Sequence, residues 1–441
     1  MIPLRSIPKP VSPREHVAVL VGVFLACALL IPARMVIGPL GAFGTPAAIV
    51  GCIALGVWGV SRMHPSAGAA FGPQPIRVAL WVYAGAAIAS YVAAVSGVLP
   101  ADALRGADRS LLQLAAMSGV ALLLVDGLHT VRGVIRVLQV LVACTAVAAA
   151  IGLAEYFLGF NAGRYYAQIP GLRATGDLAL IGARSALPRV AGTATHPIEF
   201  GVVCALVLPI ALHLARRNPR NVLPWIAVAT IASALPTSIS RSAILALIIG
   251  CGVYVAVWPM RQRLLAVACL PLVLVPGRAL MPGILGTILK LFLNFGSDPS
   301  VAARTVDYAT VGAVVASHPV VGVGYGTYFP PRAPILDNQY LGQLAETGVL
   351  GLVALIGLCV VALGAARGVR RRSVDPEIRD CAQALFACVA AAVVTFATFD
   401  FFAFALGTAV FFVVLGCIGA LWRLSGGSAA WSGGRQHIAS V

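Results

Sequence analysis

The chain has 441 residues, 60 % of them hydrophobic and only 10 % charged, with a formal net charge of +16. Apolar runs of roughly 17–22 residues recur from end to end, each long enough to cross the hydrocarbon of a bilayer. Arginines in the short links can each contact acidic lipid headgroups, at about 1 kcal/mol apiece, so the positive charge is not a nucleic-acid footprint.

In chain order, twelve spans are predicted: 16–33, 45–61, 78–98, 109–126, 137–156, 198–214, 221–238, 241–258, 264–280, 344–364, 380–399 and 402–422. The fold class is therefore all-α and polytopic. The expected organisation is a cytoplasmic tail (1–15), N-terminal membrane helices (16–156), an extracytoplasmic loop (157–197), and membrane helices again (198–280). A large extracytoplasmic loop (281–343) between spans nine and ten follows, then C-terminal membrane helices (344–422) and a cytoplasmic tail (423–441). An even number of spans puts both termini on one side. Placing them in the cytoplasm leaves 19 of the 31 basic residues inside, as the positive-inside bias requires. The first span follows a basic leader with no cleavage-site pattern before the second, so it is expected to be a signal anchor. All ten cysteines fall within predicted spans, where they serve as small packing residues; neither a disulfide framework nor a thiolate metal site is expected.

Two features point to chemistry at the outer face. The middles of the spans contain no Asp, Glu, Lys or Arg; Asp126, Glu155, Glu199, Arg241, Arg278, Asp400 and Arg423 all lie within about a turn of a predicted end. Ion-coupled transporters keep ionisable groups or paired broken helices near mid-membrane, and neither is evident. Basic residues are instead retained outside. Only Arg34, Arg105 and Arg109 sit in short outer links; Arg164, Arg173, Arg184 and Arg189 occupy the first long loop, Arg278, Lys290, Arg304 and Arg332 lie in or beside the second, and Arg241 stands at a helix mouth. Retained outer cations suit an anionic ligand.

The second loop has legible local structure. Ser300 follows Asp298-Pro299 and can cap a helix that runs to about Ser317, where His318-Pro319 ends it. On that helix Arg304 and Tyr308 share a face, with Asp307 alongside. Gly322, Gly324 and Gly326 read as a tight turn. Pro330, Pro331 and Pro334 keep the chain extended until Asp337 or Asn338 caps a helix that continues into the tenth span. Gln339, Gln343 and Glu346 form a polar stripe, and Gly348 with Gly351 leaves a smooth patch for close helix approach.

These residues resemble the O-antigen ligase/polymerase superfamily of bacterial envelope glycosyltransferases. The segment DNQYLGQLAETGVLG is similar to the family's late motif, with Asp337 in place of the leading His, followed by Asn338, nine residues, Gly348, two residues and Gly351. Upstream, VAARTVDYATVGAVVASHPVVGVGYGTY resembles the family's arginine helix and His-Pro-Gly-x-Gly turn. SISRSAILAL and RVAGTATHPIEFG resemble its Ser-Arg and Gly-Thr…His-Pro segments.

The resemblance implies a metal-independent, inverting GT-C transferase without a cofactor. Such an enzyme takes glycan from an undecaprenyl-pyrophosphate-linked oligosaccharide to an acceptor hydroxyl, within the lipid bilayer and alongside flippase and chain-length partners. A polymerase is preferred to a ligase, because carboxylate replaces imidazole at position 337. Arg241 and Arg304 match the family arginines and are expected to hold the pyrophosphate, with Arg189 as a third. Asp337 is the expected general base, or only a cap; Asn338, Tyr308, Tyr325 and Gln339 are expected to bind substrate. His196 reads as a helix-entry packing residue.

Overall fold

The computed structural model describes residues 13–64, 70, 72–176, 189–268, 283, 286, 299–329 and 332–434, with the backbone alone for 13–15, 299–306 and 427–434. Its helices are α1 (Pro13–Leu29), α2 (Pro46–Met63), α3 (Pro75–Val95), α4 (Ala101–Gly127), α5 (Val131–Leu158), α6 (Ala162–Tyr166) and α7 (Pro197–Arg217). They continue with α8 (Val222–Ala234), α9 (Arg241–Val255), α10 (Pro299–Ser317), α11 (Gln339–Arg372), α12 (Pro376–Thr395) and α13 (Ala405–Gly434). Several start at a proline whose missing N–H costs nothing at the first helical position, preceded by a side-chain cap: Thr45, Gln74, His196 and Asp375.

Eight of these helices are long and apolar enough to cross a membrane, and the stretches 16–29, 222–238 and 241–255 are shorter apolar helices. Eleven of the twelve expected spans thus coincide with helices, while most of the ninth, 264–280, lies outside the described residues. α4 begins eight residues before the expected boundary of 109, because Pro100 permits a helix start at Ala101. The described residues also hold one two-stranded ribbon, β1 (Met35–Ile37) antiparallel to β2 (Leu172–Ala174), which pins the first long loop to the link between α1 and α2.

Small residues let the helices approach closely. A Cβ on Gly51 of α2 would stand 2.8 Å from Ala116 of α4, and one on Gly119 would stand 2.5 Å from Leu55. Gly416 of α13 meets Leu124 of α4 in the same way. The face of α11 turned away from these contacts remains apolar and exposed at Val349, Val353, Ile356 and Val360. Lipid is the solvent that suits such a stripe.

α11 is not one helix. At Gly348 the backbone turns to φ 62°, ψ −164°, a conformation essentially confined to glycine. The break frees the carbonyls of Ala345 and Glu346, which accept from the amides of Val323 (3.0 Å) and Gly324 (2.9 Å). It also frees the amides of Val349 and Leu350, which donate to Pro319 (2.9 Å) and Val320 (3.1 Å). The glycine turn therefore threads through the gap, and these four loosened backbone groups all find partners there. Gly348 is thus a helix break rather than the smooth docking patch expected of it, and the broken helix that the sequence does not make evident is present here.

Candidate active site at the loop end of the bundle

One end of the bundle gathers the link 34–45, the start of α4, the segment 189–196, the turn 235–241, the strip 318–347 and the loop 396–404. Buried polar side chains sew these together. Glu155 accepts from the amides of Ala191 (3.4 Å) and Gly192 (2.6 Å). Glu199 accepts from Thr195 through both N (2.9 Å) and Oγ1 (2.8 Å), and from the amide of Leu406 at the head of α13 (2.7 Å). Gln339 receives the amide of Phe402 on its Oε1 (2.6 Å), while its own amide donates to the Phe396 carbonyl (2.7 Å). These groups satisfy loop backbone that would otherwise be buried without partners.

Between these segments lies a cavity of about 680 Å³. Asp337, Gln339, Gln343 and Glu346 line it from the first half of α11, Tyr325 and Tyr328 from the glycine strip, Asp400 and Phe402 from the loop before α13, Arg109 and Gln113 from α4, and His196 from the mouth of α7. The strip forms its roof. Phe329 rests on Gly106, where a Cβ would come within 2.5 Å of the ring, and Arg332 holds Asp102 through two contacts, Nε–Oδ2 at 2.6 Å and Nη2–Oδ1 at 3.0 Å. Arg332 is thus a latch between roof and α4, already neutralised.

Asn338 caps α11, its Oδ1 accepting from the amides of Tyr340 (2.9 Å) and Leu341 (3.2 Å). Of the two residues that could have been the cap, Asp337 is the one that stands outside the helix and faces the cavity. Gln343 fixes the wall beneath it, accepting from the Tyr83 hydroxyl (3.0 Å) and donating to Thr347 (2.6 Å). Glu346 accepts from the amides of Gly326 and Tyr328, which ties the wall to the roof.

Asp400 is the second cavity acid. Burial pushes its carboxyl up to about 6, the Ala403 amide pulls it back, and the charge of Asp337 adds to the upward displacement. His196 caps α7 with Nδ1, which accepts from the Ile198 amide (3.2 Å). Burial, then the nearby charges of Arg189 and Arg34, push its imidazole down to about 4, so it is neutral at physiological pH. Burial pushes the Tyr325 phenol upward, and burial followed by Asp307 does the same to Tyr328; both remain neutral hydroxyls.

The structure brings together Asp337, Tyr325 and Gln339, with Asn338 beside them as a cap. Arg189 lies at the cavity edge, next to His196, its Nε donating to the Ser238 carbonyl (3.3 Å). Arg241 opens α9 three residues after Ser238, behind the Ser240 cap, so both arginines belong to the α8–α9 turn. Neither lines the cavity. Arg304 is on α10, one turn before buried Asp307, and its side chain is outside the described residues. Tyr308 points away, 61 % exposed. Glu346 was read only as part of a polar stripe, and the residues the motifs did not single out are Arg109 and Asp400. Two signals were present for them: an arginine retained in a short outer link, and a carboxylate set in the aromatic run FATFDFFAF.

Comparison with known families identifies the central stretch: residues 226–356 match the family model described as O-Antigen ligase. That stretch is similar to the O-antigen ligase family. The matched stretch supplies Arg241, α10, the glycine strip, Asp337 and the break at Gly348, whereas Arg109, Arg189, His196 and Asp400 come from sequence on either side of it. No curated protein matches the chain.

Proposed function

We propose that this protein is an inner-membrane glycosyltransferase. It transfers glycan from an undecaprenyl-pyrophosphate carrier to a sugar hydroxyl at the outer face, extending a polysaccharide as a polymerase. What carries the reading is the placement of Asp337. It stands outside the helix cap, in a roofed cavity at the loop end, within a segment matched by the O-antigen ligase family.

In this mechanism the Asp337 carboxylate takes the proton of the acceptor hydroxyl as its oxygen attacks the anomeric carbon of the donor sugar. The bond from that carbon to the phosphate oxygen breaks, and the diphosphate leaves with the electron pair on the opposite face, so the configuration inverts. Guanidinium groups balance the charge that grows on the leaving group, without a metal ion. Arg304 and Arg241 are assigned that role, with Arg189 in support. Tyr325, Gln339 and the Asn338 cap shape the acceptor side, and Tyr308 on the α10 surface contacts the growing chain. A ligase would use the same machinery with a different acceptor; carboxylate at position 337 favours the polymerase.

Two experiments test this. Arg304→Ala and Asp337→Asn should each abolish high-molecular-weight glycan at unchanged protein level; normal polymer in both would refute the site. Purified protein given lipid-linked repeat units should lengthen them without a proton gradient, which a flippase would not do.

A further inference from the structure

Thr195, His196 and Pro197 open α7, and their neighbours fix how the histidine sits. Glu199 accepts from the amide and hydroxyl of Thr195, Arg34 donates to the Thr195 carbonyl (3.1 Å), and Pro197 takes the first helical position. The imidazole Nδ1 accepts from the Ile198 amide (3.2 Å), so the ring proton is on Nε2. The cap thus decides the tautomer. Burial, then the charges of Arg189 and Arg34, keep the ring neutral.

Capping α7 uses one end of the imidazole and leaves the other without a structural task. Nε2 has no hydrogen-bond partner among the described residues, yet it is not sealed from solvent. The ring opens on the cavity that Asp337 and Asp400 also line, beside the Phe404 ring, with centroids 6.2 Å apart. A serine or an asparagine would cap the helix as well. What the imidazole adds is an uncharged N–H of fixed direction facing the cavity. Ionised carboxylates can receive sugar hydroxyls but give no hydrogen bond, so a sugar oxygen that needs a donor has to find an N–H or O–H. A neutral donor suits an uncharged oxygen, whereas a diphosphate is better matched by guanidinium.

His196 also stands at a boundary. Arg189, whose charge reaches its ring, donates to the Ser238 carbonyl (3.3 Å) and belongs with Arg241 to the α8–α9 turn. A sugar whose diphosphate is held at that turn passes the imidazole on its way to Asp337. We infer that His196 is a substrate-binding residue whose Nε2–H donates to an uncharged oxygen of the donor's first sugar, a hydroxyl or an acetamido carbonyl, and so positions the anomeric carbon for attack. The inference rests on the transferase reading above and gives the donor sugar a contact of its own, separate from those that hold its diphosphate.

The test is binding by the full chain in nanodiscs, with three probes: undecaprenyl pyrophosphate, and the same carrier bearing glucose or N-acetylglucosamine. The wild type should hold at least one glycosylated carrier about 3- to 10-fold more tightly than the bare one, the range of one neutral hydrogen bond. His196→Ser keeps a capping oxygen but is too short to reach the cavity; it should erase that increment and bind the bare carrier as the wild type does. His196→Gln should recover part of the increment through its longer amide, and glutamine is a workable cap here, since Gln74 caps α3 ahead of Pro75. A loss limited to the N-acetylglucosamine carrier names the carbonyl as the accepted group, and a loss on both carriers names a hydroxyl. Equal binding of all three probes by the wild type, or an increment that survives His196→Ser, would overturn the inference and leave the transferase reading standing. An equal weakening of all three by His196→Ser would overturn it too, because that is the behaviour of a purely structural histidine. If the wild type binds none of the carriers, the proposed function itself fails.

Discussion

At the residue scale the chemistry turns on a pair of neighbours. Two polar residues precede α11, and both could cap it; Asn338 does so, which leaves Asp337 in the cavity beside Asp400. Ionisation of Asp400 places a second negative charge next to the proposed base and strengthens it. Turnover should therefore rise with pH through a midpoint near 6, the value to which Asp400 is pushed, and Asp400→Asn should remove that limb. Stability should change in the opposite sense. A carboxyl raised from 3.8 to about 6 binds its proton more tightly in the native state, so its stabilising contribution is present below pH 4 and is lost as pH rises through 6. Between those values the wild type should lose on the order of 2 kcal/mol relative to Asp400→Asn, measured by denaturant unfolding at a series of pH values. The motifs made Asp337 legible because their spacing is fixed by the helix it precedes. Asp400 and Arg109 were not legible as site residues, because each reaches the cavity from an element hundreds of residues away or outside any motif, and only the packing of α4 against α13 and the glycine strip brings them in.

At the element scale, nearly all of the apolar helices can be read from the sequence, since hydropathy over about 20 residues is a direct consequence of lipid as solvent. What it does not give is the interruption inside α11. The hydrophobic pattern continues across Gly348, and the break is stabilised by partners 22 to 30 residues upstream whose identity is backbone, not side chain. Glycine is required twice in this joint. A Cβ on Gly348 would lie 2.3 Å from the Val320 carbonyl oxygen at a φ of 62°, and one on Gly322 would lie 2.3 Å from the Glu346 backbone at a φ of 68°. Gly348→Ala should thus cost about 3 kcal/mol or more and release the amides of Val323, Gly324, Val349 and Leu350 to hydrogen exchange. Gly342→Ala, in the same helix with open space around it, should be neutral or stabilising by up to about 1 kcal/mol. Equal effects of the two substitutions would contradict the joint.

At the scale of the molecule, the expected topology makes a demand that can be checked with single cysteines in a background lacking the native ten. Residues 241 and 308 should react with an impermeant thiol reagent added from outside, and residue 217 should not, because α7 and α9 lie side by side with residues 217 and 241 at opposite ends. The Asp102–Arg332 latch is another property of the whole, joining the N-terminal helices to the roof. Being open to solvent, it should contribute little to stability. Its effect should instead be on access to the cavity: Asp102→Asn should speed turnover of bulky donors if release is slow, and the Asp102→Arg, Arg332→Asp exchange should return the wild-type rate.

The cavity belongs to no contiguous stretch of chain. Its ceiling comes from the matched domain, but one wall is α4 and another is the aromatic loop that begins at Phe396, and the fit depends on complementary sizes such as a bare Gly106 beneath Phe329. An excised 226–356 fragment would keep the motif and lose the vessel. Grafts between homologues should therefore succeed only when the fourth helix travels with the strip that seals it, and acceptor preference should follow that pair of elements rather than the motif itself.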